Sequence, residues 1–207
     1  MNLRQIIRAV QRELQVDIDG YAGPQTWEAI YRRVVPAATD QQTTASNLPS
    51  LFTGRVDERS ESKIAMLLPE VQPYARALVT KATGMGITTK VISGTRTYAE
   101  QDALYEQGRS KPGKIVTKAR GGYSNHNFGI AFDVGIFDGP KYIAESPAYK
   151  AVGIIGIDLG LAWGGNWTTM QDEPHFELRP NWAAKLSESD MLAELRSRKE
   201  SGKAIYA

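Results

Sequence analysis

Cysteine is absent from the 207 residues, and histidine occurs only twice, at His126 and His175. The first absence excludes disulfides, thiolate nucleophiles, iron–sulfur clusters and thiolate zinc sites. The second confines any imidazole chemistry to two known positions. Charge of one sign is also lacking: 25 Lys and Arg against 23 Asp and Glu leave a formal net charge of +2. The basic residues are spread along the chain, so no nucleic-acid partner is expected. There is no long hydrophobic run. The most apolar stretch, 151–165, is broken by Asp158 and five glycines, so no membrane span is expected. The chain opens on an amphipathic pattern rather than a basic segment followed by an apolar core. Synthesis in the cytoplasm without a secretory signal is therefore expected. What is present is an ordinary hydrophobic fraction of 42%. That fits a folded domain plus a small appendage, with a core that needs no staples.

Periodicity divides the chain. Asn2 with Gln5 forms a capping-box pattern, and Leu3, Ile6, Ile7, Val10 and Leu14 recur at helical spacing. A turn-rich loop follows from Asp17 to Gly23. Pro24 stands at the tolerated first position of a second helix whose apolar face is Trp27, Ile30, Tyr31 and Val34. Residues 1–36 are thus a helical unit. Residues 37–56 are small and polar without periodicity and are expected to be a linker. A main domain spans 57–186. Helices are expected over Ser60–Leu68 and Val71–Ala82, and a capping box at Thr97 and Glu100 opens another that ends at Gly108. Strands are expected at Ile87–Ile92, Gly129–Val134 and His175–Leu178. A helix opens at Ser146-Pro147, and a charged helix over Ser187–Lys199 begins a C-terminal tail, 187–207. The mixed order favours an α+β fold over a doubly wound sheet.

The chemistry concentrates in Ser124-Asn-His-Asn-Phe-Gly-Ile-Ala-Phe-Asp133. Side chains alternate along a strand. Ile130, Phe132 and Val134 share a bulky face, while Gly129, Ala131, Asp133 and Gly135 share a small one that leaves room for a cleft. A lone carboxylate there is costly unless a cation or hydrogen bonds meet it. His126 precedes the strand by a turn that can fold its imidazole back toward Asp133. In Asp172-Glu-Pro-His-Phe-Glu-Leu178, Phe176 and Leu178 face the core, and His175 and Glu177 face the other way. Two imidazoles and one carboxylate form a common catalytic zinc set with an open fourth position. A purely structural role for each histidine is the plainer alternative.

Taken together, Ser124-x-His126-x-x-Gly129-x-Ala131-x-Asp133 followed by Asp172-x-x-His175 resembles the zinc D-Ala-D-Ala carboxypeptidase/dipeptidase family. The likeness is greatest to its L-alanyl-D-glutamate endopeptidase branch in phage endolysins. Ser93-Gly94-x-Arg96-x-x-x-x-Gln101, Leu104-Tyr105-x-x-Gly108-Arg109, Val116-Thr117 and Trp163-Gly-Gly165 add to the resemblance, which spans about 57–180. It implies an α+β domain with a central antiparallel sheet and flanking helices. It implies that His126, Asp133 and His175 bind Zn2+, that Asp172 is the general base, and that Arg96 stabilises the developing oxyanion. Strict alternation would instead place Glu173 beside His175, but Pro174 interrupts the ladder. Ser124, Tyr98 and Gln101 are weaker candidates for substrate contact or loop ordering. Trp163 and Trp167 are expected to pack, with a possible place in a pocket wall.

Val10-Gln11-x-x-Leu14 with Asp19-Gly20-x-x-Gly23-Pro24-x-Thr26-Trp27 resembles a helical peptidoglycan-binding module. That resemblance makes Asp19, Gly20, Gly23, Thr26 and Trp27 candidates for wall binding. The alternative is a helical hairpin that merely packs. The expectation overall is a monomeric zinc peptidase cutting peptidoglycan stem peptides at L-Ala–D-Glu, an endolysin reaching the wall after holin-type release. A D-Ala-D-Ala carboxypeptidase and a non-catalytic wall-binding protein are the alternatives.

Overall fold

The computed structural model describes residues 3–20, 26, 29, 30 and 54–207. The chain divides into two compact units, Met1–Leu48 and Pro49–Ala207. The capping residue Asn2, the start of the second N-terminal helix at Pro24, Gly23, Trp27 and most of the expected linker lie outside the described residues.

In the first unit, α1 spans Leu3–Glu13. It closes with Gln15 in the left-handed region at φ 55°, Gln15 N–H donating to Arg12 O and Val16 N–H to Gln11 O. This pair of bonds satisfies carbonyls that a helix end otherwise leaves unpaired. Thr26, Ala29 and Ile30 are also helical. Buried Gln11 organises this unit. Its amide donates to Asp19 Oδ1 at 2.7 Å and Thr26 Oγ1 at 2.9 Å, and its carbonyl accepts from Gly20 N–H at 2.8 Å. One side chain therefore joins three residues of the Asp-Gly-x-x-Gly-Pro-x-Thr motif.

The second unit is α+β. Helix α2, Glu58–Ile64, is capped by the Asp57 side chain, and α3 spans Gln72–Gly84 with proline in its first turn. The strands are β1 Thr89–Ser93, β2 Ala131–Asp138, β3 Lys141–Ile143, β4 Ala162–Trp163 and β5 His175–Glu177. All pair antiparallel, in the order β1-β2-β5-β4, with β3 folded as a hairpin onto the far end of β2. Helix α4 is Tyr98–Glu106, α5 is Ala148–Asp158 and α6 is Glu188–Ser201. The Thr97/Glu100 capping box forms as the sequence indicates. Strand β2 runs four residues past the expected end, and β3 and β4 are additional. Both are too short to show a period.

One face of the sheet carries Val91, Phe132, Val134, Trp163 and Phe176, all buried against Leu78 and Val79 of α3 and Val152 and Ile155 of α5. Phe132 and Phe176 are directly opposed across β2 and β5, and their rings stack 5.9 Å apart. Burying each such ring contributes about 1.5–3 kcal/mol. A second apolar cluster joins Met191, Leu192 and Leu195 of α6 to Phe128 and Ile130. The C-terminal helix and tail, 187–207, fall within the same compact unit, with Tyr206 Oη donating to Leu178 O at 2.7 Å.

Glu61 of α2 fixes the entry to this unit. It accepts a two-pronged bond from Arg76, Nε to Oε1 at 3.0 Å and Nη2 to Oε2 at 2.9 Å, and a third from Val56 N–H. The Arg76 bond holds the Glu61 carboxyl below its ordinary value, against the effect of burial and with help from Val56. This stabilisation is present above the unfolded value of 4.5 and is lost as pH falls through the lowered folded one. Glu61→Gln is expected to cost about 1–3 kcal/mol at neutral pH. Urea titrations of both proteins across the acid range should show the gap closing as pH falls through the lowered Glu61 value.

Candidate metal centre and active site

The small face of the sheet builds the site. Register places His175 directly opposite Asp133, and Glu177 opposite Ala131. Directly opposed residues of an antiparallel pair share a face, so both side chains of the first couple emerge together. At the other edge of β2, the β1 ladder is irregular between Val91 and Ser93. The chain leaves there toward Gly94, whose carbonyl accepts from His126 Nδ1 at 2.8 Å. His126 itself sits in a tight 3-10 turn, Asn125–Phe128, closed by Gly129 at φ 71°, a conformation that favours glycine. Arg96 N–H donates to His126 O at 3.0 Å, locking the turn to the start of α4.

The result is one cluster. His126 Nε2 and His175 Nδ1 each lie 3.2 Å from Asp133 Oδ1, and the donor atoms of the three residues fall within 4.8 Å of one another. Zinc bonds of 2.0–2.2 Å set ligand atoms about 3.4 Å apart at the corners of a tetrahedron. The 3.2 Å spacings, the two borderline nitrogens and the hard oxygen all fit a zinc-type ion. The far nitrogens are held too, His126 by Gly94 O and His175 Nε2 by Glu177 Oε2 at 3.2 Å. Such outer partners are typical of metal-binding imidazoles.

Electrostatics agree with a cation-seeking site. Burial works against the Asp133 carboxylate, yet His126 and His175 hold it well below the usual range. Burial likewise disfavours a charged His175, but the hydrogen bonds to Asp133 and Glu177 outweigh it and raise its pKa to about 10. Asp172 behaves oppositely. Burial and then the Asp133 charge push its carboxyl up, partly offset by His175, His126 and Arg96. A carboxyl raised in this way beside a metal-type cluster is suited to proton transfer.

These residues line a cleft of about 720 Å³ that also takes in Arg96, Ser124, Lys118, Trp167 and Asp172. Glu173 is not among the lining residues, and its carbonyl instead accepts from Trp163 Nε1 at 2.7 Å. The turn carrying Asp172 is fixed by Asp172 N–H to Gly164 O at 3.1 Å and His175 N–H to Asp172 O at 3.0 Å. A Cβ on Gly164 would lie 2.5 Å from Asp172 O and 2.9 Å from His175 Cβ. That close approach explains the glycine of Trp163-Gly-Gly165. Trp167 leans over His175 with ring centroids 4.9 Å apart, while Trp163 is buried.

Arg96 reaches Asp133 Oδ2 with Nη2 at 3.2 Å and Gln101 Oε1 with Nη1 at 2.9 Å. Its Nε is buried with no hydrogen-bond partner among the described residues. Gln101 and Tyr98, weighed above for substrate contact, are not among the lining residues. Gln101 is fully buried and ties Arg96 to Ala119 O, and Tyr98 packs edge-on against Phe128. Of the wall-binding candidates, Asp19, Gly20 and Thr26 meet at Gln11 in the first unit, whereas Gly23 and Trp27 lie outside the described residues. Glu177 and Asn125 were missed by the sequence as parts of the site. The alternation of β5 placed Glu177 beside His175 but not its bond to the ring, and Asn125 carried no signal.

The family described as D-alanyl-D-alanine carboxypeptidase, of peptidase type M15, matches residues 117–178, the interval that holds His126, Asp133, Asp172 and His175. The chain is similar to the peptidoglycan L-alanyl-D-glutamate endopeptidase CwlK of Bacillus subtilis (strain 168). They are 40% identical over 125 residues, covering 56% of this chain and 75% of the relative. Among solved structures it is similar to the Serratia marcescens L-Ala D-Glu endopeptidase ChiX, at 24% identity and a TM-score of 0.48, over 63% of this chain and 94% of that one. It is also similar to the LdcB LD-carboxypeptidase, at 19% identity and a TM-score of 0.47, over 72% of this chain and 76% of that one. Identity of 40% across three quarters of the Bacillus relative is decisive, and the chain belongs to the M15 family of peptidases.

Proposed function

We propose that this peptidase is zinc-dependent and hydrolyses the L-Ala–D-Glu bond of bacterial peptidoglycan. The observation that carries the proposal is the placement of Asp172, with its raised carboxyl, in one cleft with the His126, Asp133 and His175 cluster. The bond follows the activity named for the Bacillus relative.

His126, Asp133 and His175 would hold the ion. When bound, zinc supplies a Lewis acid and lowers the pKa of water to about 7. Asp172 takes the proton from the attacking water and returns it to the leaving amine as the C–N bond breaks and the new C–O bond forms. Arg96, whose side chain lines the cleft, donates to the carbonyl oxygen as negative charge develops there. Gln101 keeps that guanidinium in place. Trp167 covers one side of His175 and limits access of bulk water. The N-terminal unit is assigned to the wall itself, where tethering raises the local concentration of the catalytic unit. An endolysin role, with zinc as the metal and release through a separate membrane protein, completes the proposal.

Mass spectrometry of digested wall tests the bond. New alanine carboxyl ends paired with glutamyl amino ends are expected. Release of free D-alanine alone would instead make the chain a D,D-carboxypeptidase.

A further inference from the structure

The buried carboxylate of Glu177 takes no part in the proton transfers above, yet three side chains bond to it. Its Oε2 accepts from His175 Nε2 at 3.2 Å and from Asn125 Nδ2. Its Oε1 faces Arg179 Nη1 at 3.4 Å. The array continues into α6. Asn125 Nδ2 also donates to Glu188 Oε1 at 2.7 Å, and Arg179 Nη1 donates to Glu188 Oε2 at 2.7 Å. Glu188 stands in the first turn of α6, which the Ser187 side chain caps. The same helix reaches the other histidine, since Lys199 Nζ donates to Asn127 O in the His126 turn at 2.8 Å. Burying so many polar atoms is costly unless they are satisfied together.

We propose that Glu177, clamped by Asn125, Arg179 and Glu188, is a positioning residue that keeps the proton of His175 on Nε2 and so turns its Nδ1 lone pair toward the metal. The inference rests on the metal reading of the cluster given above. Its logic is tautomeric. Each ring nitrogen faces a carboxylate, Nδ1 that of Asp133 and Nε2 that of Glu177, and a carboxylate only accepts; since Asp133 would itself hold the ion, the proton stays on the Glu177 side. Nδ1, 3.2 Å from Asp133 Oδ1, is then the ring atom left for coordination. Arg179 offsets part of the charge of the two glutamates, and Glu188 keeps Asn125 and Arg179 aimed at Glu177. The C-terminal helix, 63 residues from Asn125 in sequence at Glu188, thereby becomes part of the metal-site scaffold.

The test compares the zinc-loaded wild-type protein with Glu177→Gln and Glu188→Gln. Glutamine keeps the shape of Glu177 and can still accept from the ring, so a role in packing alone predicts unchanged zinc affinity. The proposal predicts affinity about 10–100-fold weaker for Glu177→Gln, read by competition with a chromogenic chelator. Glu188→Gln replaces a half-exposed residue and is expected to give a smaller loss in the same direction. A variant-free reading uses 15N-labelled histidine in the zinc-loaded wild type. His175 should show a metal-bound Nδ1 and a slowly exchanging Nε2–H. Coordination through Nε2, or wild-type affinity in both variants, would overturn the proposal. Failure of the wild type to bind zinc at all would count against the metal reading itself.

Discussion

Asp172→Asn should bind zinc as tightly as the wild type and yet hydrolyse wall about 10²–10⁴-fold more slowly, the usual contribution of a positioned acid–base group. The amide keeps the shape of the side chain and its backbone turn, which depends on Gly164 O and His175 N–H rather than on the carboxylate. What it loses is the proton acceptor. Activity of the wild type should fall as pH drops through the raised Asp172 value, and the residual activity of the variant should lack that acid limb. Stability should move the other way. Burial and Asp133 disfavour the charged carboxyl in the folded protein. Its cost is absent below the unfolded value and complete above the raised folded one. At neutral pH the metal-free variant should therefore melt at a higher temperature than the wild type. Calorimetry and turnover measured on one preparation check both halves. Near-normal turnover would transfer the proton role to another group.

Asp133→Ala should produce the complementary failure. Asp133 is the atom-sharing centre of the cluster, with both imidazoles 3.2 Å from one of its oxygens and Arg96 at the other. Removing it leaves two imidazoles facing a guanidinium with no carboxylate among them, a poor setting for a divalent cation. The loss of zinc affinity should exceed the 10–100-fold typical of outer partners, and turnover should vanish with it. Metal analysis after dialysis separates this variant from Asp172→Asn, which should stay loaded. Chelation of the wild type should abolish hydrolysis, and added zinc should restore it. An Asp133→Ala protein that keeps its ion would remove this aspartate from the ligand set.

The parts legible in the sequence share a physical basis. His126, Asp133 and His175 could be joined because a strand alternates and only two histidines exist. Thr97 with Glu100 is a local signal, decided within one turn of chain. Asp172 was preferred over Glu173 through Pro174 and the family resemblance, and the turn braced on Gly164 has Asp172 but not Glu173 lining the cleft. What stayed hidden depends on pairing distant segments. Gln101 stood open between substrate contact and loop ordering, and only the fold shows its amide group engaged by Arg96 and the Thr117–Ala119 loop. Strands β3 and β4 exist because β2 and β5 offer them edges, not because their few residues favour extension. The junction of Glu188 with Asn125 and Glu177 needs the whole of β5 and the start of α6 in place.

The pairing of Asp133 with His175 has a consequence for folding. A slip of one residue between β2 and β5 would send His175 into the apolar interior and lift Phe176 into the cleft. Such a chain could still bury much of its sheet but could not gather the three donor atoms. A ligand that binds only one register stabilises that register by mass action. The metal would thus act as a proofreader of strand alignment, rejecting misaligned molecules before they ever meet a substrate.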